Sequence, residues 1–396
     1  MNAVVRRTAN LLVVLLAAVC VTVGGWDSAA AHFAGGREPS NWRGEILSVE
    51  PAMAGVTFAL TDSADRIEVR NTSSTPVIIY GYQHKEPGDR DRYLKVSADG
   101  VWVNAESQAG YLNETLLGAG DKVPERLRDD LGDGEPTWEK VSDEGVYRWH
   151  DHRVHWMSLD PPPSVAADPG SEHLVIDGWQ IFAKYGDQPE STVTGELRWV
   201  PAQTAPWWVV VVVLAAAVVV LGALRRWRRP IAFAAVLVAA AAVGQWLATP
   251  LPQDEYQGSF TFVLVSAAVP ALAVVGLCVL GLRALWRGAA EPTWYLLGAA
   301  GALAAIQASS DIAVLTRSQL EHGGPPWLAR LCVSAAIGLG VGLFVAMMRH
   351  ALRDRRAGAG RVQRRQVDIA SDEEMAQMQD AAVVLGARRK HPGNAP

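Results

Sequence analysis

Five long apolar segments fill residues 207–348 of this chain. A helix needs about 20 mostly apolar residues to cross the hydrocarbon core of a bilayer, and each segment is close to that length. The pattern therefore predicts an integral membrane protein with five transmembrane helices within residues 206–349. The predicted spans are residues 207–224, 231–249, 260–282, 294–315 and 327–348.

Arginines flank these segments unevenly. The second and fourth connections and the last span contain only Arg317 and Arg330, whereas the first and third connections and residues 349–365 contain 13 arginines. Connections rich in basic residues stay in the cytoplasm. We therefore expect a multi-pass protein of the plasma membrane, with everything before residue 207 outside and the C-terminus inside. The 13 arginines expected on the cytoplasmic side are Arg225, Arg226, Arg228, Arg229, Arg283, Arg287, Arg349, Arg353, Arg355, Arg356, Arg361, Arg364 and Arg365.

The N-terminus has the pattern of a secretory signal peptide. Arg6 and Arg7 precede an apolar stretch, and Ala29 and Ala31 form an A-x-A cleavage site. Such a pattern indicates export followed by removal of residues 1–31. His32 would then be the first residue of the mature protein. An uncleaved anchor helix is the alternative.

Residues 32–205 are long enough for one exported domain with its own core. This segment has 29 Asp and Glu against 16 Lys and Arg, a formal charge of −13. The charge disfavours binding to nucleic acid or to anionic lipid. The segment has no cysteine, so disulfides, thiolate catalysis and thiolate metal sites are excluded from it.

Short runs of β-branched and aromatic residues, separated by turn residues, predict that this segment is mostly β. Residues 105–145 are acidic and rich in glycine, and they predict a long excursion between strands. We therefore expect an exported all-β immunoglobulin-like sandwich followed by an all-α five-helix transmembrane bundle. Residues 350–396 are predicted to form a partly disordered cytoplasmic tail. The predicted strands lie at residues 43–50, 56–61, 66–71, 76–82, 93–96, 101–104, 145–149, 174–183 and 192–200.

One short string concentrates the side chains that bind metals. His150, His152 and His155 lie within six residues, with Asp151 among them and Met157 just after. Imidazoles suit copper and zinc, and a thioether also suits Cu(I). In an extended strand His150 and His152 would share one face and His155 would take the other, so a turn or bulge is needed to bring all three together.

A mature N-terminal His32 would add to this site. Its α-amino group and imidazole could chelate one Cu(II) ion, since nitrogen ligands suit that ion. We therefore predict a metal site, for copper or another transition metal, formed by His32, His150, His152 and His155. The alternative is structural: Trp149, Val154 and Trp156 pack the core while the histidines and Arg153 hold a turn.

Other kinds of function have weaker support in the sequence. No nucleophile, phosphate-loop or dinucleotide motif is present, so we do not expect an enzyme. Within the predicted spans, Gln245, Gln307 and Asp311 are polar, and polar groups in a membrane are candidates for a solute or ion site. Asp311 could instead form a structural pair with Arg330.

Three strings resemble a known family. "AHFAGG…SNWRGEILSVEPAMAGV", "GVWVNAESQAGYLN" and "YRWHDHRVHWMS…PPP" are similar to an actinobacterial family of membrane proteins with an exported β-sandwich domain that carries a WHDHRxHWM motif. The chain departs from that family's pattern between Gly81 and Leu94, where it has an insertion. The resemblance implies a location and a fold. In plan, exported copper carriers are also similar, with a histidine after the signal peptide and appended spans.

Together these patterns predict a membrane protein with an extracytoplasmic binding domain for copper or another transition metal. The alternative is an envelope interaction or sensor protein whose histidines are structural, with a partner in the envelope. A third possibility is a component of a small-solute transporter. The expected partners are the lipid bilayer and a metal ion, with no nucleic acid.

Overall fold

A computed structural model describes residues 39–82, 91–113, 135–158, 160–252, 259–321 and 324–389. The predicted signal peptide and His32 lie outside these residues. So does much of the predicted excursion after Asn113. The described chain has an N-terminal β region and a helical C-terminal part.

All the described strands are antiparallel and form two sheets. The strands are β1 (Trp42–Glu50), β2 (Val56–Thr61), β3 (Arg66–Asn71), β4 (Val77–Tyr80), β5 (Arg92–Ser97), β6 (Gly100–Asn104), β7 (Trp138–Ser142), β8 (Val146–His150), β9 (His173–Tyr185) and β10 (Ser191–Trp199). Seven strands pair in the order β1-β10-β9-β4-β5-β6-β7, and three pair in the order β2-β3-β8. A short helix α1 (Gln108–Leu112) follows β6, and α2 (Pro163–Ala167) precedes β9.

One hydrophobic core lies between the two sheets, because alternate side chains of each strand point inward. Ile67 and Val69 of β3 enter it from the small sheet, and Leu94 and Ile181 enter it from the large sheet. Trp149 at the end of β8 is 3% exposed and meets Tyr93 of β5 edge to face, with ring centroids 6.3 Å apart. Of the two tryptophans that the structural alternative places in the core, Trp149 is buried there.

Strand β7 is a difference from the sequence prediction, because it lies inside the segment that we expected to be an excursion. Its residues Glu139 and Lys140 are charged and exposed, so it has little of the hydrophobic pattern of a strand. Pairing with β6 stabilises it at the sheet edge. The ammonium groups of Lys95 and Lys140 lie over the ring of Trp102, at 4.6 and 5.4 Å from its centroid. Such cation–π contacts add to the pairing.

The helical part contains five long helices and one short helix among the described residues. The helices are α3 (Ala205–Ala223), α4 (Arg228–Ala248), α5 (Phe260–Trp286), α6 (Ala290–Ser310), α7 (Ala313–Thr316) and α8 (Pro326–Arg389). Four are long and apolar enough to cross a membrane: α3, α4, α5 and the Pro326–Asp354 part of α8.

The fourth predicted span corresponds to α6, which packs against α5 and α8. It is less apolar than the other four, because it has polar residues near both ends, among them Thr293, Gln307 and Ser310. The helix ends at Ser310 rather than at residue 315. Asp311 then leaves the helical conformation, and the short helix α7 follows.

Small residues allow the helices to approach closely. A Cβ atom added at Gly338 of α8 would lie 2.6 Å from the carbonyl oxygen of Val211, and one at Gly342 would lie 2.7 Å from Cβ of Val218. The G-x-x-x-G spacing therefore marks the contact of α8 with α3, as such spacings do in membrane helices.

The loop between α7 and α8 contacts the β region. Ser40 and Gln319 exchange two backbone hydrogen bonds of 3.0 and 2.8 Å. Ser318 donates its N–H to the Asn41 side chain and its hydroxyl to the carbonyl of Val200. The loop thus pairs with the residues just before β1, close to the point where β10 leads into α3.

Candidate metal centre

The histidine turn, residues 150–155, directly follows β8. His150 is the last residue of the strand and pairs in register with Arg66 of β3. The chain then reverses, with the N–H of Val154 donating to the carbonyl of Asp151 at 3.1 Å. Val154 is fully buried and anchors the far side of the turn. This is the turn that the sequence required if His155 was to return beside His150.

A buried ion pair holds the turn. The Asp151 carboxylate has no exposed surface and accepts hydrogen bonds from the indole of Trp149 and from the backbone and side chain of Arg153. Arg153 also donates to the carbonyls of Gly81 and Tyr80. Burial alone would raise the pKa of Asp151, but the charge and hydrogen bonds of Arg153 outweigh it and lower that pKa.

The turn brings the three imidazoles together. The ring centroids of His150 and His155 are 4.2 Å apart, those of His150 and His152 are 5.1 Å apart, and those of His152 and His155 are 5.8 Å apart. One ring nitrogen from each lies within 4.8 Å of the other two. Nitrogens bound at ~2.0–2.1 Å around one tetrahedral ion would lie about 3.3 Å apart, so small side-chain rotations would close the set.

His155 presents a defined nitrogen. Its Nδ1 lies 3.2 Å from the carbonyl oxygen of Trp156. A carbonyl only accepts, so the neutral ring has its proton on Nδ1 and a lone pair on Nε2. Nε2 is buried and has no hydrogen-bond partner among the described residues. A backbone carbonyl that holds Nδ1–H is the usual support for a histidine that binds metal through Nε2.

The surroundings keep His155 neutral. Burial, together with the nearby His150 and His152, lowers its pKa to about 4. A metal competes with protons for imidazole nitrogen. His155 is therefore ready to bind a metal in mildly acidic as well as neutral solution.

Asp65 is a site residue that the sequence analysis missed. Its carboxylate oxygens lie 3.8 Å from Nδ1 of His150 and 3.9 Å from Nδ1 of His155. A carboxylate on the Nδ1 side of a histidine raises the basicity of the opposite nitrogen. Asp65 follows three residues with positive φ, Asp62 to Ala64, a conformation that is strained for residues other than glycine. The backbone N–H of Ser63 donates to the carboxylate of Glu321 in the α7–α8 loop.

His152 lies on the more open side of the cluster and stacks on Tyr82, with centroids 5.7 Å apart and planes 15° from parallel. The Tyr82 hydroxyl accepts from the N–H of His152 and donates to Asn113. Burial and the nearby Asp151 charge raise the pKa of Tyr82, so its hydroxyl stays protonated. Met157, which follows the turn, is 38% exposed.

The polar residues of the spans form a second feature, here called the bundle polar cluster: Gln245, Gln307 and Asp311. The amide of Gln245 donates to Asp311 at 3.1 Å. The side-chain oxygens of Gln245 and Gln307 are buried and have no hydrogen-bond partner in the described part of the chain. Arg330 donates to the carbonyls of Val314, Arg317 and Ser318.

No protein-family model, curated protein or solved structure matches the chain. A proposal of function therefore rests on the geometry of the site.

Proposed function

We propose that this chain is a plasma-membrane protein whose β domain, immunoglobulin-like and outside the cell, binds a late transition-metal ion. His150, His152 and His155 are the ligands, Asp65 supports them, and a processed N-terminal His32 completes the set. Copper(II) is the preferred ion because the affinity of nitrogen sites for divalent metals peaks at copper. The protein belongs to no enzyme class under this proposal.

One observation carries the proposal: the histidine turn is closed without using the ligand nitrogen of His155. Asp151 and Arg153 supply the hydrogen bonds that hold the turn, and the ring of His155 lies beside two other imidazoles. A buried polar atom without a partner costs about 1–3 kcal/mol. A metal ion at this position would remove that cost, whereas the structural alternative leaves it in place.

The membrane placement rests on the four apolar helices, the fifth helix α6 packed among them, and the uneven arginines. Under the proposal all five cross the membrane, with the histidine turn outside and the tail inside. Reporter fusions after Arg229 and after Asp254 should lie on opposite sides of the membrane. Two fusions on the same side would reject this topology.

The metal proposal is tested on the full chain with its natural N-terminus, purified in detergent. Dialysis against Cu(II), Ni(II) and Zn(II) should give one bound copper per chain, with copper outcompeting the other two. The bound Cu(II) should give a paramagnetic resonance spectrum with nitrogen splitting. No copper uptake by the natural chain would reject the proposal.

Variants assign the site. His150→Ala with His152→Ala should abolish copper binding, whereas His173→Ala should not, because that ring contacts the carbonyl of Asp168 away from the cluster. His152→Ala alone is the variant most able to fold, since its ring is only half-buried. If it folds and binds copper as the natural chain does, His152 is not a ligand. If the double variant unfolds, the structural alternative is supported.

A second candidate function is passage of a small solute through the bundle, favoured by the two buried amide oxygens of Gln245 and Gln307. Reconstituted vesicles loaded with a pH-sensitive dye test it for protons. Asp311→Asn should then abolish the flux. A natural chain that conducts no more than empty vesicles would remove proton passage from consideration.

A further inference from the structure

A cavity lies where the arginine-rich ends of four helices meet. It has a volume of about 160 Å³ and is lined by the last turn of α3, by Trp227 before α4, by the first turns of α6 and by α8. Two aromatic rings form one wall, since the centroids of Trp227 and Trp294 are 4.5 Å apart. Tryptophans at this depth are typical of the boundary between lipid tails and headgroups.

The charge of this cavity is positive. Arg349, His350 and Arg353 of α8 line it, and no carboxylate does so among the described residues. His350 is bonded to Asp354, with 3.2 Å between Nε2 and a carboxylate oxygen. Arg349 and Arg353 have no ion pair within the part of the chain that the structure describes. Two guanidinium groups one turn apart are therefore available for an anion, and paired guanidinium donors match phosphate oxygens.

An apolar groove runs from this cavity along the outside of the bundle. It lies between α3 and α8, has a volume of about 500 Å³ and is lined only by valine, alanine and glycine. Val219 belongs to both the groove and the cavity, so the two are continuous. Between Val211 and Val220 the groove follows α3 for about 14 Å, at 1.5 Å per residue. That is about half of the ~30 Å hydrocarbon core, the depth of one leaflet.

We propose that this groove and cavity form a binding site for one anionic phospholipid of the cytoplasmic leaflet. The acyl chain lies in the groove, and the phosphate lies against Arg349 and Arg353. A neutral lipid would leave part of the positive charge uncompensated, and a free phosphate would leave the groove unfilled. The site rests on the membrane placement and is independent of the metal centre, so copper binding should be the same with and without the lipid.

The test uses the full chain, delipidated in mild detergent, and native mass spectrometry. Phosphatidylglycerol, phosphatidylcholine and inorganic phosphate are the probes. One phosphatidylglycerol should remain bound per chain, more tightly than phosphatidylcholine. Arg349→Gln with Arg353→Gln should weaken its binding on the order of 10- to 30-fold, the effect expected for two basic residues at a membrane surface.

The matched control is Arg225→Gln with Arg226→Gln, which removes two arginines of the same membrane face that do not line the cavity. Equal loss of lipid in the control would mean general surface attraction and would overturn the proposal. Arg349→Lys with Arg353→Lys keeps the charge and should bind more lipid than the Gln variant if the site is folded. Val345→Trp should block the groove. Undiminished phosphatidylglycerol binding in that variant, or full competition by inorganic phosphate, would show an anion site without an acyl chain and would also overturn the proposal.

Discussion

The histidine turn and the bundle polar cluster both place polar side chains in buried surroundings, but different interactions support them. In the histidine turn a complete network of hydrogen bonds surrounds Asp151 and Arg153, and the imidazoles project from that fixed frame. In the bundle polar cluster one hydrogen bond joins Gln245 to Asp311, and two amide oxygens have no partner among the described residues.

The difference shows where a rigid site can be built. A ligand set must be held close to its productive geometry by neighbours that are themselves fixed. The β domain meets this requirement, because a fully buried Val154 and a buried ion pair lock the turn. The bundle instead keeps amide groups that a passing solute or water could satisfy. Under the proposed function, the first region holds an ion and the second makes only brief contacts.

The largest expected effect tests the frame of the histidine turn. Asp151→Ala leaves the Arg153 guanidinium buried without its carboxylate, which typically costs about 3–5 kcal/mol. Thermal unfolding of the detergent-solubilised chain, followed by tryptophan fluorescence, should show this loss. Asp160→Ala, at an exposed position after the turn, should leave the unfolding transition nearly unchanged. Equal losses of stability in the two variants would mean that the Asp151–Arg153 ion pair does not lock the histidine turn. The contrast with the bundle polar cluster would then be wrong.

The second prediction concerns acid. The pKa of His155 is about 4 in the folded chain and about 6.5 in an unfolded one, so unfolding takes up a proton between these values. The free energy of unfolding should therefore fall as the pH drops from about 6.5 to 4. Below pH 4 His155 should cause no further change. The full shift corresponds to about 3–4 kcal/mol at 1.36 kcal/mol per pH unit. His155→Gln should flatten this part of the curve when unfolding is measured at successive pH values. A curve of unchanged slope would mean that folding does not lower the pKa of His155.

Local patterns in the sequence were enough to predict most of the fold. Nine strands were placed within a few residues, because alternation and turn residues are local signals. Strand β7 was missed because its stability comes from pairing with β6 rather than from its own pattern. The end of α6 was placed too late, since Asp311 closes the helix through a backbone bond to Ala308 that composition does not reveal.

The site was predictable in part for the same reason. The three histidines lie within six residues, and their density alone indicates a cluster. Asp65 lies far away along the chain and reaches them only through the pairing of β3 with β8 and the left-handed turn before it. Asp151 is visible in the sequence only as a carboxylate among the histidines, because its burial with Arg153 is set by the core and by the carbonyls of Tyr80 and Gly81.

The smallest expected effect tests the bundle polar cluster. Gln307→Leu replaces a buried amide, whose oxygen has no partner among the described residues, with an apolar side chain of similar size. Because such an exchange is near neutral or slightly favourable, the free energy of unfolding in detergent should stay level or rise by up to about 1 kcal/mol. Gln245→Leu is the matched control, since it removes the hydrogen bond to Asp311 and should cost about 1 kcal/mol, the usual size of such bonds between membrane helices. If Gln307→Leu destabilises the chain as much as Gln245→Leu does, the side-chain oxygen of Gln307 binds a water molecule or an ion. The bundle polar cluster would then be a satisfied site like the histidine turn, and passage of a solute would need a partner at Gln307 that can leave.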